Sequence, residues 1–310
     1  MARTRKPNGE PRKNGTLGER LKRYKYLYLL MIPGILWYVL FHIVPFYGIV
    51  IGFQNYTLAS KSIFNNEWVG FKNFEWLFAS PDFFKVLWNT VYMSLLKLAC
   101  GFVAPIILAL MINAIRCKPY KNVVQTISYL PHFLSWIIVT GILHDMLSGT
   151  GIVNEVLVNL HVISQPINFF AHPGYFWPIV AFANVWKETG WNAIIYLAAI
   201  TSIDPSLYEA AAIDGAGRWN KIKYVTLPGI KPTIVILLLM NVGNVLNAGF
   251  EIQYLLGNGL VQKFSQTIDI YVLKWGISQG DYAIGTAAGI FKSLVSIILI
   301  VLANQIAKHN

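Results

Sequence analysis

Residues 208–228 read YEAAAIDGAGRWNKIKYVTLP. The chain on both sides is oily. Segments 175–200 and 232–256 each exceed the ~20 residues that a helix needs to cross ~30 Å of hydrocarbon. The stretch between them is of another kind. Asp204-Pro205-Ser206 predicts a helix start, with Asp as N-cap and Pro in the first turn. Glu209 then lies near the positive end of the helix dipole, where an anion is favourable. Ala210, Ala211 and Ala212 give a small-residue surface, and Gly215 and Gly217 allow a sharp turn or a close backbone approach. A second short helix is expected over 218–226, carrying Arg218, Lys221 and Lys223, with Pro228 and Pro232 bracketing the return to the membrane. Two short helices with so thin a face bury little on their own. Such a face fits a groove on another protein.

The composition of the whole chain agrees with the oily flanks. Of 310 residues, 55% are hydrophobic and 13% charged, and the mean hydropathy is +0.50. Soluble domains carry roughly 25% charged residues. The apolar runs are continuous, not alternating, which argues against a β-barrel. Six spans are expected, over 27–53, 86–113, 122–147, 175–200, 232–256 and 283–306. The expected fold is therefore all-α: a polytopic membrane protein of six transmembrane helices, with residues 1–25 as a basic arm and 201–231 as a polar loop.

Lysine and arginine set the orientation. The arm holds nine, loop 114–121 three, loop 201–231 four and the C-terminus one, against five on the other side (Lys61, Lys72, Lys85, Lys263, Lys274). Both termini and the 208–228 stretch are expected in the cytoplasm of a multi-pass protein of the cell (inner or cytoplasmic) membrane. The net charge of +11 mostly reflects the arm. Attraction to anionic lipid accounts for it without a nucleic acid. Within 71–84, Ser80-Pro81-Asp82 is a further helix-start signal. Cys100 and Cys117 make no disulfide framework. The six histidines are scattered and suggest no catalytic or metal site. No G-x4-G-K-[ST] loop is present, so any nucleotide is expected on another chain.

From Glu209 to Pro228 the pattern EAA-x2-DGA-x8-V-x-LP resembles the EAA motif of permease subunits of ATP-binding-cassette importers, with Val225 where isoleucine is frequent. Four other stretches are similar to the sugar-importer branch, of MalF-like fold, and to its LplB-type polysaccharide permeases. These are NVWKETGWNAIIYLAAITSIDPSLYEAA, GFKNFEWLF, SYLPHFLS and AIGTAAGIFKSLVSIILIVLANQIAKH. The resemblance covers nearly everything after residue 24. It implies that the loop is a coupling helix docking on a separate ATPase through Glu209, Ala210, Ala211, Asp214 and Gly215. It also implies a second homologous permease, two cytoplasmic ATPase subunits that bind ATP and Mg, and an extracellular solute-binding protein that delivers a carbohydrate. This chain would bind no cofactor or metal and catalyse nothing itself.

Polar side chains inside spans are costly and mark interiors or water-filled cavities. Asn184, Glu188 and Trp191 recur on one face of the fourth span, and Asn241 and Asn244 on the fifth. Amides, a carboxylate and a flat indole suit a sugar, whose hydroxyls need donors and acceptors. In the family, ligand contacts fall on these two helices, which implies the same five residues here. Asparagines that merely join helices would look alike in sequence. Lys97 and Lys292 also fall within spans. An ion-coupled transporter and a non-transporting membrane scaffold or sensor stand as alternative readings.

Overall fold

Apart from one antiparallel bridge between Gln54 and Trp68, the regular structure of the described residues is helical. The computed structural model describes residues 22, 24–60 and 62–309, with side chains as far as 306. Most of the basic arm expected over 1–25 lies outside the described residues. The chain divides into two units, Met1–Val50 and Ile51–Asn310.

The first unit contains α1, Lys25–Tyr38, which continues through a π-helical turn, Val39–Ile43, and a short α piece, Val44–Phe46. Pro45 has no N–H to offer the preceding turn. Just ahead of it the Val44 N–H reaches back five residues to the Val39 carbonyl, so the helix absorbs the proline by widening instead of ending.

In the second unit, α2 (Lys72–Ala79) leads into α3 (Pro81–Ala114), a helix of 34 residues. Ser80 is extended and Pro81 stands at the first helical position, as the sequence signal predicts. Then follow α4 (Lys118–Tyr129), a 3-10 turn (Leu130–Phe133), α5 (Trp136–Leu147) and α6 (Ile152–Asn159). The expected span 122–147 is thus broken. Pro131 withholds an N–H and the helix tightens into the 3-10 turn; the chain then turns extended at Leu134 and Ser135, and Ser135 caps a new start by accepting the Ile138 N–H at 3.3 Å. Next come α7 (Pro173–Thr201), α8 (Pro205–Ile213), α9 (Arg218–Lys221) and α10 (Leu227–Gly243). The chain ends with α11 (Phe250–Leu256), α12 (Gln262–Ser265), α13 (Ile268–Val272) and α14 (Tyr282–His309).

Two expectations around α10 are corrected. The helix over 218–226 does not stop before a separate span. A π turn, Ile222–Thr226, carries α9 straight into α10, and the Leu227 N–H reaches back to the Ile222 carbonyl. Helix is continuous from Arg218 to Gly243, because the wide turn again accommodates a proline, Pro228. The far end is also different. Helix stops at Gly243, the chain runs irregularly over 244–249, and α11 restarts after Gly249, whose φ is +94°.

Among the described residues, five helical stretches are long and apolar enough to cross a membrane: Lys25–Phe53, Pro81–Ala114, Trp136–Asn159, Arg218–Gly243 and Tyr282–Ile306. At 29 residues α7 has the length, but its NVWKETGWN stretch is polar and it is not one of the five. Val103, Ile107 and Met111 form an exposed stripe at intervals of four on α3. On a soluble surface such a stripe would be a liability. Against hydrocarbon it is the expected facing, which makes the second unit a polytopic helical membrane body.

Three buried apolar clusters lie along α3. Phe83 and Val86 pack with Leu77, Ile268, Tyr271, Ile284 and Ala288. Met93 packs with Phe176, Val180, Ile252 and Leu256. Ala109 and Ile112 pack with Ala193, Tyr196, Ile200 and Ile230. Helix α7 is the most extensive partner of α3. Buried Asn89 on α3 donates to the carbonyls of Lys263 (2.7 Å) and Gln266 (3.1 Å), which fixes the α12 segment. Lys292 of α14 pairs with Asp269 of α13, so its partner lies within the chain.

Candidate functional site

Two regions gather the residues that the sequence singles out. The first is the α8 hairpin. The Asp204 carboxylate accepts the Ser206 N–H at 2.9 Å. That backbone bond, with a lesser contribution from the Ser206 side chain, holds the carboxyl below the usual carboxylate range. At the other end Gly215 has φ +77°. The Ala216 N–H reaches the Ala211 carbonyl (2.9 Å) and the Gly215 N–H reaches that of Ala212 (3.1 Å). This is the Schellman closure, which needs a left-handed residue and so favours glycine. Tyr208 Oη lies 2.9 Å from Thr226 Oγ1 and ties the hairpin to the long 218–243 helix.

Of the expected docking residues, Glu209, Ala210, Asp214 and Gly215 are exposed and Ala211 is half-buried. The apolar neighbours are more telling: Ile213 is 87% and Trp219 73% exposed. The sequence reading missed both. Their signal is an apolar side chain in a helix otherwise surfaced by alanine and charge.

The second region is a cleft of about 210 Å³ between α3, α7 and the end of α10. Its lining includes Asn184, Glu188, Asn241 and Asn244, four of the five residues expected to meet substrate. Trp191 is not among them. The cleft follows Asn184, Glu188 and Asn192, whose i, i+4 spacing drifts about 40° per step round the helix, and Trp191 lies about 60° from Glu188 on the side away from that drift. Its indole instead stacks on the His132 ring, with centroids 4.5 Å apart and planes 6° apart.

That stacked histidine continues the polar network. His132 Nδ1 lies 2.8 Å from Glu188 Oε2, and Lys187 Nζ lies 3.4 Å from Glu188 Oε1. Lys187 Nζ also donates to the His132 carbonyl. The scattered histidines of the sequence hid this pair, whose members are 56 residues apart. Close packing brings them together. A Cβ built on Gly190 would fall on the Ser128 carbonyl, so only glycine lets α7 approach the end of α4 this closely.

Ser94 and Lys97 of α3 also line the cleft. Lys97 Nζ donates to the Ala248 carbonyl at 3.1 Å, inside the irregular 244–249 segment. Gly249 makes room for it, because a Cβ there would lie 2.8 Å from Nζ.

Comparison with known proteins places this arrangement. Protein LplB of Bacillus subtilis (strain 168) is 44% identical over 289 residues, 93% of this chain and 90% of that protein. The polygalacturonan/rhamnogalacturonan transport system permease protein YteP of the same organism is also 44% identical, over 93% of this chain and 89% of its own length. A crystal structure of a bacterial alginate ABC transporter in complex with alginate pentasaccharide-bound periplasmic protein contains a chain that is 39% identical. It superposes with a TM-score of 0.87 over 95% of this chain and 98% of that one. The family described as binding-protein-dependent transport system inner membrane component matches residues 101–309. That match takes in α7, the α8 hairpin, the long α9–α10 helix and most of the cleft, and the chain belongs to this family.

Proposed function

We propose that the chain is the membrane-spanning permease subunit of an ATP-binding-cassette importer that passes carbohydrate across the cell membrane. The observation that carries this reading is the α8 hairpin: a capped, exposed helix with Glu209, Ile213 and Asp214 outward, tied by Tyr208 to the 218–243 helix. An exposed isoleucine between two carboxylates suits a cleft on a partner. Family membership supports a cytoplasmic ATPase as that partner. In this reading α7 is the sixth span, both termini lie on the hairpin's side, and Mg and ATP are held by two ATPase copies. A second permease completes the pathway, and an external binding protein delivers the sugar. The names of YteP and of the alginate transporter support carbohydrate as cargo.

The mechanism follows from continuity. Twenty-six residues of unbroken helix, Arg218–Gly243, reach about 39 Å at about 1.5 Å per residue. A displacement of the hairpin on ATPase closure therefore arrives at Asn241 and Asn244 in the cleft. ATP binding favours the state in which the hairpins of the two permeases approach, and the difference in stability between states drives alternating access. Asn184, Glu188, Asn241 and Asn244 would meet sugar hydroxyls, while Trp191 acts through His132 on the set of Glu188.

The test is reconstitution of the complete importer in nanodiscs. Binding protein loaded with an oligogalacturonide is expected to stimulate ATP hydrolysis, and Glu209→Lys to abolish the stimulation while the ATPase subunits alone stay active. Stimulation that persists at the wild-type level in Glu209→Lys would overturn the docking assignment. Uptake driven by an ion gradient without nucleotide would overturn the importer reading.

A further inference from the structure

The charges in the cleft do not balance. Glu188 is its only carboxylate, and both of its oxygens are engaged from behind, by His132 and by the ammonium of Lys187. Lys187 is itself buried, so its charge and that of Glu188 offset one another locally. Lys97 is left over. Among the described residues no carboxylate lies within 4.0 Å of its ammonium, and its single acceptor is the neutral Ala248 carbonyl. An ammonium carries three donors, so two remain for a ligand. Lys97 stands midway along α3, at a depth where an unmatched charge is expensive and marks function.

A second observation points the same way. Ser94, one turn before Lys97, is 6% exposed and lines the cleft, and its Oγ has no hydrogen-bond partner. Asn184 and Asn192 on the facing ridge are likewise held by no hydrogen bond among the described residues. A buried hydroxyl without a partner is uncommon unless something else completes it. The cleft thus presents an ammonium with free donors, whose nearest carboxylate is already engaged by His132 and Lys187, beside neutral donors and acceptors.

We propose that this cleft receives the carboxylate of a uronic-acid sugar unit on the Lys97 ammonium, with the Ser94 hydroxyl and the Asn184 and Asn192 amides meeting the ring hydroxyls. The proposal rests on the importer reading above and specifies its cargo. One ammonium matches one carboxylate. This chain's share of the cleft is about 210 Å³. Lys97 then acts as the selecting residue. The carboxylate also competes with Ala248 for the ammonium, which makes the irregular 244–249 segment sensitive to whether an acid is present.

The experiment uses proteoliposomes holding the complete importer and its binding protein, with trigalacturonate and its carboxyl-reduced neutral analogue as probes. The affinity of the binding protein for each is measured separately and divided out. The wild type is expected to take up the acid at least tenfold faster than the analogue. Lys97→Met is expected to lower that ratio tenfold or more, and Lys97→Arg to restore most of it. Co-purification with the ATPase reports assembly of each variant. A ratio unchanged in an assembled Lys97→Met importer overturns the proposal, as does equal loss of both probes, which would make Lys97 only a strut for Ala248. A wild type that prefers the neutral probe also overturns it while leaving the importer reading intact. ATP-independent behaviour with both probes sinks the importer reading itself.

Discussion

Gly215 is the residue on which the shape of the α8 hairpin turns. Its φ of +77° closes α8 and aims the chain back toward Arg218. For a residue with a Cβ the left-handed region costs roughly 1–2 kcal/mol, although there is open space around the position. Gly215→Ala is therefore expected to destabilise the hairpin by backbone strain alone. Hydrogen exchange of the amides over 206–216 should quicken roughly 5- to 30-fold, the factor that corresponds to about 1–2 kcal/mol, while amides of α7 keep their rates. Unchanged exchange would mean that the hairpin does not depend on its Schellman closure. Asp204 works at the other end by a different means, with a carboxylate that satisfies a free backbone N–H. Its lowered pKa makes that contribution fully present above the unfolded-state value. It is lost as pH falls through the folded one, well below the pH at which the importer would work.

Between elements, the crossing of α7 over the α4 end decides whether the polar network forms. Gly190 allows backbone to approach backbone, and His132, Glu188, Lys187 and Trp191 meet within one turn of that contact. Gly190→Ala forces the helices apart, because the obstacle is a carbonyl and not the end of a flexible side chain. Overpacking of this kind costs about 1–3 kcal/mol. The expected outcome is a lower melting temperature of the detergent-purified chain, read by intrinsic fluorescence, and loss of the Trp191–His132 stack. A variant that melts as the wild type does would show that the crossing tolerates a methyl group. Proline acts at the same scale in two ways. Pro45 and Pro228 are absorbed by π turns, whereas Pro131 breaks its helix.

Across the whole molecule, the long 218–243 helix joins the exposed hairpin to the cleft. The two ends have opposite characters. At one end Ile213 is bare and waits for a partner, and at the other Asn241 and Asn244 face polar side chains from α3 and α7. Ile213→Asp removes no intramolecular packing. Its effect on the stability of the isolated chain is expected to stay within about ±0.5 kcal/mol, as for surface sites without special roles. In the assembled importer the same change is expected to lower substrate-stimulated ATP hydrolysis at least tenfold, because it places a charge where we propose that the hairpin docks. Melting curves and ATPase rates on one preparation check both halves. A fall in stability without a fall in rate would show that Ile213 packs within the chain.

Much of this was legible without coordinates. Continuous apolar runs and a scarcity of charge give an all-helical polytopic body, since hydrocarbon permits few other ways to satisfy the backbone. Asp204-Pro205 and Gly215 give both ends of α8, since caps are local chemistry. Four members of the cleft could also be named, because an amide or a carboxylate inside an apolar run is conspicuous on its own. What sequence left open depended on distance in space. Prolines look alike in a string of letters, and whether a helix widens or breaks around one depends on what packs against it. The place of Trp191 depended on which ridge of α7 faced the cleft. The pairing of His132 with Glu188, and the solitude of Lys97 beside them, arise only when α3, α4 and α7 are brought together. Charge balance is a property of neighbours, and tertiary packing chooses the neighbours.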